Sequence, residues 1–280
     1  MATNCIITGA TDGIGKQTAI ELAKLGYNLG LVGRNEKKGI SVIDEIKTVT
    51  GNGSVKYFNA DLSVIKNVKN LSDKIKNQYN TIDILINNAG AFFSKYNKTL
   101  EEIEKTFALN HLSYFMLTNQ LIDLLESGKA GRVINVASGA HFRADLDIND
   151  LQMVKKYNGW TAYCNSKLMN VLFTYAAHEK YKEKNISFNC LHPGFVNTRF
   201  GDENEGIGKS ILSIGKKLMA IDIKKGAKTS IYLAASDEVV NVSGKYFYKL
   251  KVAYSSKISY SKSYQQKLWD SSEKIIKDFI

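Results

Sequence analysis

Short apolar runs alternate with longer stretches of mixed polarity along most of the 280-residue chain. The runs are rich in β-branched residues, and most are continuously apolar, which is typical of parallel strands covered on both faces. We therefore predict seven β-strands, at Asn4–Thr8, Asn28–Val32, Ser54–Asn59, Ile82–Asn87, Arg132–Ala137, Ile186–Leu191 and Lys245–Tyr248.

The stretches between the predicted strands have the spacing of amphipathic helices. Strands that alternate with helices form a doubly wound α/β sheet with helices on both faces and right-handed crossovers. The sequence has no internal repeat or linker, so we expect one domain over residues 1–280 with a Rossmann-type, seven-stranded parallel sheet. Ligands of such sheets bind beyond the carboxyl ends of the strands, and the residues that follow each strand are therefore the candidates for a site.

Composition indicates an ordinary globular protein, with 44% hydrophobic and 23% charged residues. No apolar run approaches the roughly 18 residues that span a bilayer. The first predicted strand begins at Asn4, which leaves no room for a signal peptide or an amino-terminal anchor. We therefore expect a cytoplasmic protein without an integral membrane anchor.

The net charge of +11 raises the question of a polyanionic partner. The lysines are scattered, and neither an RNA-binding signature nor zinc-ligand spacing accompanies them. We therefore expect no nucleic-acid partner, and we attribute the excess charge to a solvated surface and an anionic cofactor. Cys5, Cys164 and Cys190 also lack metal-ligand spacing and are expected to be reduced thiols, with Cys5 and Cys190 in apolar, strand-like runs.

Three glycines, Gly9, Gly13 and Gly15, follow the first predicted strand and open a helix. Glycine permits positive φ and close backbone approach, and a helix N-terminus presents free N–H groups to a phosphate. The spacing differs from the GxGxxG dinucleotide fingerprint. By itself the segment is therefore either a phosphate-binding loop or a tight turn between a strand and a helix.

The turn after the second predicted strand contains Gly33 and Arg34. NAD enzymes commonly place a carboxylate near this position for the ribose 2′-hydroxyl, whereas NADP enzymes place an arginine. Arg34 is thus either a ligand of a 2′-phosphate or an exposed turn residue. Asp12 and Glu36 place negative charge nearby and favour the second possibility.

Two further positions carry polar side chains in helical patterns. An apolar stripe within residues 100–124 is interrupted by Asn110, and because a buried amide must be hydrogen-bonded, Asn110 is either a structural bridge or part of a polar site. Tyr163 and Lys167 are four residues apart and share one helical face. They are either a surface pair or a catalytic pair.

These residues together resemble the motifs of the short-chain dehydrogenase/reductase family, over nearly the whole chain. The motifs are TGxxxGxG at Thr8–Gly15, NNAG at Asn87–Gly90, Asn110, Ser138 after the fifth strand, YxxxK at Tyr163–Lys167, and HPG at His192–Gly194 with Thr198 following. The segments LNHLSYFMLT and AYCNSKLMNVLFT look like the retinol dehydrogenase-like branch of that family.

The resemblance implies hydride transfer between a nicotinamide and an alcohol or carbonyl carbon. Tyr163 would be the acid/base and Lys167 would lower its pKa and hold the nicotinamide ribose. Ser138 would bind the substrate oxygen, and Asn110 would support a water-linked proton path from Lys167. No metal is implied, and His111 and His192 look structural.

The resemblance also implies a bound dinucleotide, and Arg34 leads us to expect NADP(H) in preference to NAD(H). Arg34 would contact the 2′-phosphate, Asp61 and Leu62 the adenine, and the backbone after Pro193 the nicotinamide amide. The cofactor contacts that carry over are Gly9, Thr11, Asp12, Gly13, Ile14, Gly15, Arg34, Asp61, Leu62, Asn88, Ala89, Gly90, Tyr163, Lys167, Pro193, Gly194, Val196 and Thr198.

The family keeps a mobile substrate lid at the position of residues 200–226. This segment is either a lid that closes over an apolar substrate and touches anionic membranes, or an ordinary amphipathic helix. The expected substrate is a small lipophilic carbonyl or alcohol, retinal-like or otherwise. A steroid or keto-lipid reductase and a non-catalytic NADP-binding regulator are the alternatives, and a homo-oligomer stays open.

Overall fold

One sheet of eight strands organises the computed structural model, which describes residues 3–194 and 222–280. The strands are β1 (Asn4–Thr8), β2 (Asn28–Gly33), β3 (Val55–Asn59), β4 (Ile84–Asn87), β5 (Gly131–Val136), β6 (Ile186–Leu191), β7 (Lys245–Tyr248) and β8 (Lys251–Ala253). Their order is β3-β2-β1-β4-β5-β6-β7-β8. Strands β1 to β7 are parallel, and β8 pairs antiparallel with β7.

Helices cover both faces of the sheet, because successive strand residues point to opposite sides. The α-helices in chain order are α1 (Gly13–Lys24), α2 (Glu36–Thr50), α3 (Ile65–Lys76), α4 (Lys105–Phe107), α5 (Ser113–Gln120), α6 (Ile122–Glu126), α7 (Gly159–Lys180), α8 (Ile223–Ala235) and α9 (Lys262–Ile276). In β1, Ile6 belongs to a core with α3, α5 and α7, whereas Cys5 and Ile7 belong to a core with α1, α2 and α8.

The predicted fold class is confirmed, and the observed bounds of the seven predicted strands lie within two residues of the predicted ones. The strand count was wrong, because β8 is an eighth, antiparallel strand. It follows β7 through a two-residue turn, Lys249 and Leu250, which have φ of 49° and 66°. Two-residue turns with positive φ usually have the sequence Asn-Gly, Asp-Gly or Gly-Gly. Lys-Leu carries no such signal, and the three-residue strand was therefore missed.

The helical region around Asn110 is interrupted rather than continuous. After the short α4, residues Ala108–Leu112 form a π-helical turn, and α5 begins at Ser113. The chain breaks again at Leu121 before α6. The regular apolar spacing is typical of one continuous helix. A π-helical turn contains one extra residue, and the spacing of apolar residues does not reveal it.

Cys5, Cys164 and Cys190 are buried and unpaired, as predicted. In the ranges 3–194 and 222–280, none of the helices combines the length and the apolar character that crossing a membrane requires. The expected lid, up to residue 221, and the expected cofactor contacts of Val196 and Thr198 lie outside the described residues.

The N-terminus of α3 is capped by a side chain from a distant loop. Its own N-cap residue, Val64, provides no side-chain hydrogen bond. The carboxylate of Glu101 instead accepts the backbone N–H groups of Ile65 and Lys66, each at 2.9 Å. A carboxylate at this position satisfies two otherwise unpaired N–H groups and lies at the positive end of the helix dipole.

We expect Glu101→Ala to lower the free energy of unfolding by about 1 kcal/mol, the usual cost of losing an N-cap. Urea denaturation measures the change. The neighbouring Glu102 forms only an exposed ion pair with Lys98, so Glu102→Ala is the matched control and should leave stability unchanged. Equal losses in both variants would show that the capping bonds contribute nothing specific.

Candidate active site

At Gly9 and Gly15, around the turn from β1 to α1, the packing leaves no space for a side chain. Gly9 and Gly13 have φ of 65° and 54°. A Cβ on Gly9 would lie 2.8 Å from the Cα of Ala89, and one on Gly15 would lie 2.4 Å from the carbonyl oxygen of Gly9. Asp12 is the N-cap of α1 and accepts the N–H of Gly13 at 2.8 Å. The loop thus brings bare backbone and a helix N-terminus to the carboxyl edge of the sheet, which is the geometry of an anion site.

The loop after β4 is bonded directly to this glycine loop. The hydroxyl of Thr8 accepts the backbone N–H groups of Asn88 and Ala89 at 2.9 and 3.0 Å. The side-chain amide of Asn88 donates to the carbonyl oxygen of Thr8 at 2.8 Å and to that of Gly9 at 3.3 Å. The side chain of Asn88 therefore holds the glycine loop in place.

A cavity of about 330 Å³ lies beyond the ends of β2 and β3, where the sequence places the adenosine end of a dinucleotide. It is lined by Arg34, Asn59, Ala60, Asp61, Asn67, Asn70, Leu71 and Lys74. Arg34 and Asp61 thus share one cavity, as their predicted roles require. Leu62 is buried in the hydrophobic core, so its side chain does not line this cavity.

Asn110 is fully buried and joins three parts of the chain. Its side-chain oxygen accepts the N–H of Ala91 at 2.9 Å, and its amide donates to the carbonyl of Ala91 at 2.9 Å and to the hydroxyl of Ser166 at 3.0 Å. Both amide hydrogens are therefore engaged. The side chain of Asn110 acts as a structural bridge between the β4 loop and α7, and a proton path at this position would have to use its backbone.

Ser138, Tyr163 and Lys167 meet at the end of β5. The side chain of Ser138 hydrogen-bonds to that of Tyr163, and the ammonium of Lys167 lies 5.8 Å from the centre of the Tyr163 ring. The same ammonium donates to the carbonyl of Val136 at 3.0 Å. It also lies beside Gly90, where a Cβ would be 3.3 Å from Nζ. The predicted catalytic residues are therefore brought together, next to the β4 loop.

Burial is the largest influence on the pKa values of Tyr163 and Lys167. It raises the pKa of Tyr163 to about 12, and the hydrogen bond from Ser138 opposes the rise. It lowers the pKa of Lys167 to about 8. Both shifts favour the neutral form of a buried group. The resemblance implies that Lys167 lowers the pKa of Tyr163, whereas in the protein without a cofactor the pKa is raised, because desolvation of the phenolate is the largest effect.

Aromatic side chains flank Tyr163. Trp160 stacks on Tyr163 with ring centroids 5.9 Å apart and is 45% exposed. Phe92 meets the same ring edge-on at 6.4 Å. Neither was identified from the sequence. Trp160 precedes Tyr163 by three residues on α7, and this helical spacing was the available signal.

The end of β6 supplies the last described part of the site. The backbone N–H of Gly194, which has φ of 87°, donates to Nδ1 of His192 at 3.1 Å. The His192 ring stacks on Tyr248 at 4.0 Å, and burial lowers its pKa to about 4. His192 is therefore neutral and holds the turn that carries Pro193 and Gly194.

Comparison with known proteins agrees with this geometry. The family model for short chain dehydrogenases matches residues 3–206. Human retinol dehydrogenase 13 is 36% identical over 277 residues, which cover 97% of this chain and 83% of that protein. Human polyprenol dehydrogenase is 37% identical over 280 residues, with coverages of 95% and 83%.

A crystal structure of an uncharacterised protein from Mycobacterium paratuberculosis is similar with a TM-score of 0.79 and 26% identity, covering 98% of this chain and 93% of that one. The family model and the human relatives each cover well over half of the chain. This chain therefore belongs to the short-chain dehydrogenase family, as a retinol dehydrogenase-like oxidoreductase that acts on alcohols or carbonyls with a nicotinamide cofactor.

Proposed function

We propose that the protein is an NADP(H)-dependent oxidoreductase that interconverts a lipophilic alcohol and its aldehyde or ketone. The observation that carries this proposal is the group formed by Ser138, Tyr163 and Lys167, with the phenol hydrogen-bonded to the serine and the ammonium beside Gly90. A non-catalytic regulator would have no need of this group, and a buried lysine is costly to maintain without a purpose.

The residues present fit a dinucleotide. The glycine loop leads into the N-terminus of α1, whose free backbone N–H groups suit a phosphate, and Arg34 lines the cavity expected to take the 2′-phosphate. Lys167 has two N–H groups beyond the one given to Val136 within the described residues, and these suit a ribose. When bound, the nicotinamide supplies or accepts the hydride.

Tyr163 is suited to donate a proton to a substrate oxygen. A carbonyl that is being reduced needs a proton at its oxygen, and a phenol whose pKa is raised to about 12 holds that proton at neutral pH. Lys167, with a pKa of about 8, is mostly protonated at neutral pH and stabilises the phenolate left behind. In the direction of alcohol oxidation, the positive charge of the oxidised cofactor has to bring the phenol pKa down.

Ser138 orients the substrate. Its hydroxyl oxygen accepts the N–H of Ala140 at 3.2 Å, and its hydrogen bond with Tyr163 keeps it beside the phenol. A substrate oxygen that takes the phenol proton therefore lies where the serine hydroxyl can turn its hydrogen toward it. A donor placed where negative charge develops stabilises the transition state more than the ground state.

The aromatic surroundings of Tyr163 support a lipophilic substrate. Trp160 and Phe92 present apolar ring surface beside the phenol, and such surface binds hydrocarbon in preference to water. The two human relatives are named for retinol and polyprenol, which are both alcohols with long hydrocarbon chains. We therefore place the substrate in that chemical class.

The proposal predicts NADPH-dependent reduction in a screen of retinal, medium-chain aldehydes and ketosteroids. We expect Tyr163→Phe to reduce kcat by about 10²–10⁴, the contribution of a general acid, with NADPH affinity unchanged. Tyr254→Phe, at a tyrosine that is 89% exposed, is the control and should retain full activity. Comparable turnover by Tyr163→Phe, or no turnover by the wild type on any of these carbonyls, would contradict the assignment.

Cofactor preference is tested at Arg34. We expect Arg34→Ala to raise the KM for NADPH about 10-fold or more, since hydrogen bonds to a charged group contribute roughly 1.5–3 kcal/mol, and to leave the KM for NADH unchanged. Lys47→Ala removes one positive charge from the last turn of α2 and serves as the control. If the wild type turns over NADH as well as NADPH and Arg34→Ala changes neither, the preference for NADP(H) is wrong.

The close packing of the glycine loop, on which we expect cofactor binding to depend, is tested at Gly15. In Gly15→Ala the new methyl would lie 2.4 Å from the Gly9 carbonyl, so we expect weaker NADPH binding and a loss of about 1–3 kcal/mol in stability. Gly53→Ala is the matched control, because a Cβ there meets no atom within 4 Å. Fluorescence titration with NADPH and thermal unfolding give the two readouts, and wild-type values for both would contradict the predicted contact.

A further inference from the structure

A buried histidine follows the catalytic serine and has no part in the chemistry described above. His141 is 1% exposed and lies in the 3₁₀ turn Gly139–Arg143, directly after Ser138. Its ring Nδ1–H donates to the carbonyl of Ser138 at 2.7 Å, and its backbone N–H donates to the same oxygen at 3.1 Å. Two hydrogen bonds from His141 therefore fix the peptide group that follows Ser138.

The other ring nitrogen of His141 is bonded to the C-terminal part of the chain. Nε2 accepts the backbone N–H of Ser256 at 3.2 Å. Because Nε2 accepts, Nδ1 must carry the hydrogen, which is the tautomer that the carbonyl of Ser138 needs. Burial lowers the pKa of His141, which keeps the ring neutral in this arrangement. The ring also packs against Tyr246 with centroids 4.9 Å apart.

Ser256 is itself held in place by buried polar contacts. The hydroxyl of Ser259 donates to the carbonyl of Ser256 at 2.6 Å and hydrogen-bonds to the hydroxyl of Ser255 at 2.7 Å. Ser255 is also hydrogen-bonded, at 2.7 Å, to the hydroxyl of Tyr175. Tyr175 lies on α7, the helix that carries Tyr163. These contacts connect α7 to Ser256 through Tyr175, Ser255 and Ser259. Ser256 is bonded to His141, His141 to Ser138, and Ser138 to Tyr163, which also lies on α7.

We propose that His141 is a positioning residue, which fixes Ser138 against Tyr163 by linking the turn after β5 to Ser256. The inference rests on the proposed function, because it assigns the role of His141 in that reaction. The hydroxyl of Ser138 has to accept from Ala140 and point its hydrogen toward the substrate oxygen at the same time. That requires a fixed peptide orientation between residues 138 and 141, which the two bonds from His141 provide. Residues 255–259 lie beyond the part of the chain that the family model matches, residues 3–206.

Replacement of His141 gives the first test. We expect His141→Phe to lower kcat for carbonyl reduction about 10- to 100-fold, with NADPH affinity unchanged. His141→Asn places an amide N–H at the position of Nδ1 but has no acceptor for the N–H of Ser256, so it should recover only part of the lost kcat. Since the effect passes through Ser138, His141→Phe should cost less than about twofold when Ser138 is already alanine. An equal loss in the presence and absence of Ser138, or no gain from His141→Asn, would overturn the proposal.

The link to Ser256 gives a second test that leaves His141 intact. Ser256 has φ of −61°, which proline adopts, so Ser256→Pro removes the N–H that His141 accepts without forcing the backbone. We expect a several-fold loss of kcat. Ser256→Ala keeps that N–H and removes a buried hydroxyl that has no partner within the described residues, so it should have wild-type kcat. Equal activity of the proline and alanine variants would overturn the role of Ser256.

A readout that needs no turnover separates this proposal from the proposed function. Hydrogen exchange followed by mass spectrometry measures the amides of Ala140 and His141, which donate to Ser138. We expect His141→Phe and Ser256→Pro to accelerate their exchange about 10-fold or more, and Ser256→Ala to leave it unchanged. Wild-type exchange in all variants would overturn the positioning role. An inactive wild type with accelerated exchange in the variants would instead contradict the proposed function alone.

Discussion

The loop after β4, residues Asn88 to Ala91, is held from several sides, and the candidate site depends on that restraint. Thr8 and Asn88 bond it to the glycine loop after β1. Tyr114 donates to the carbonyl of Ala89 at 2.8 Å, and Asn110 holds Ala91 through both ends of its amide. Because Asn110 also bonds Ser166 on α7, the glycine loop and the helix that carries Tyr163 and Lys167 are both bonded to this one loop.

This restraint explains why an ammonium and a phenol are buried beside it. Burial lowers the pKa of Lys167 to about 8 and raises that of Tyr163 to about 12, because excluding water disfavours the charged form of each group. A mobile loop would let water in and bring both pKa values back toward their ordinary range. With the loop fixed, the phenol of Tyr163 stays protonated at neutral pH, as donation of a proton to a substrate oxygen would require.

Much of this was predictable from the sequence, and the failures have physical causes. Apolar runs located the parallel strands because both faces of the sheet are covered, and the motif spacing brought Ser138, Tyr163 and Lys167 together correctly. The eighth strand was missed because Lys249 and Leu250 adopt positive φ without glycine. The pKa of Tyr163 could not be predicted, because it depends on how completely packing excludes water. The sequence left two roles open for Asn110, and deciding for the structural bridge required the position of Ala91, which sequence spacing does not give.

The missed strand has structural consequences beyond the strand count. Without β8, the backbone of β7 would form an open sheet edge, and a three-residue strand with the exposed Lys251 covers that edge without offering a long edge of its own. The same hairpin leads the chain to Ser255 and Ser256, beside the turn that follows β5. The segment that covers the sheet edge thus also supplies the N–H that His141 accepts, and under the positioning role proposed for His141 a change in the Lys249–Leu250 turn should alter the orientation of Ser138.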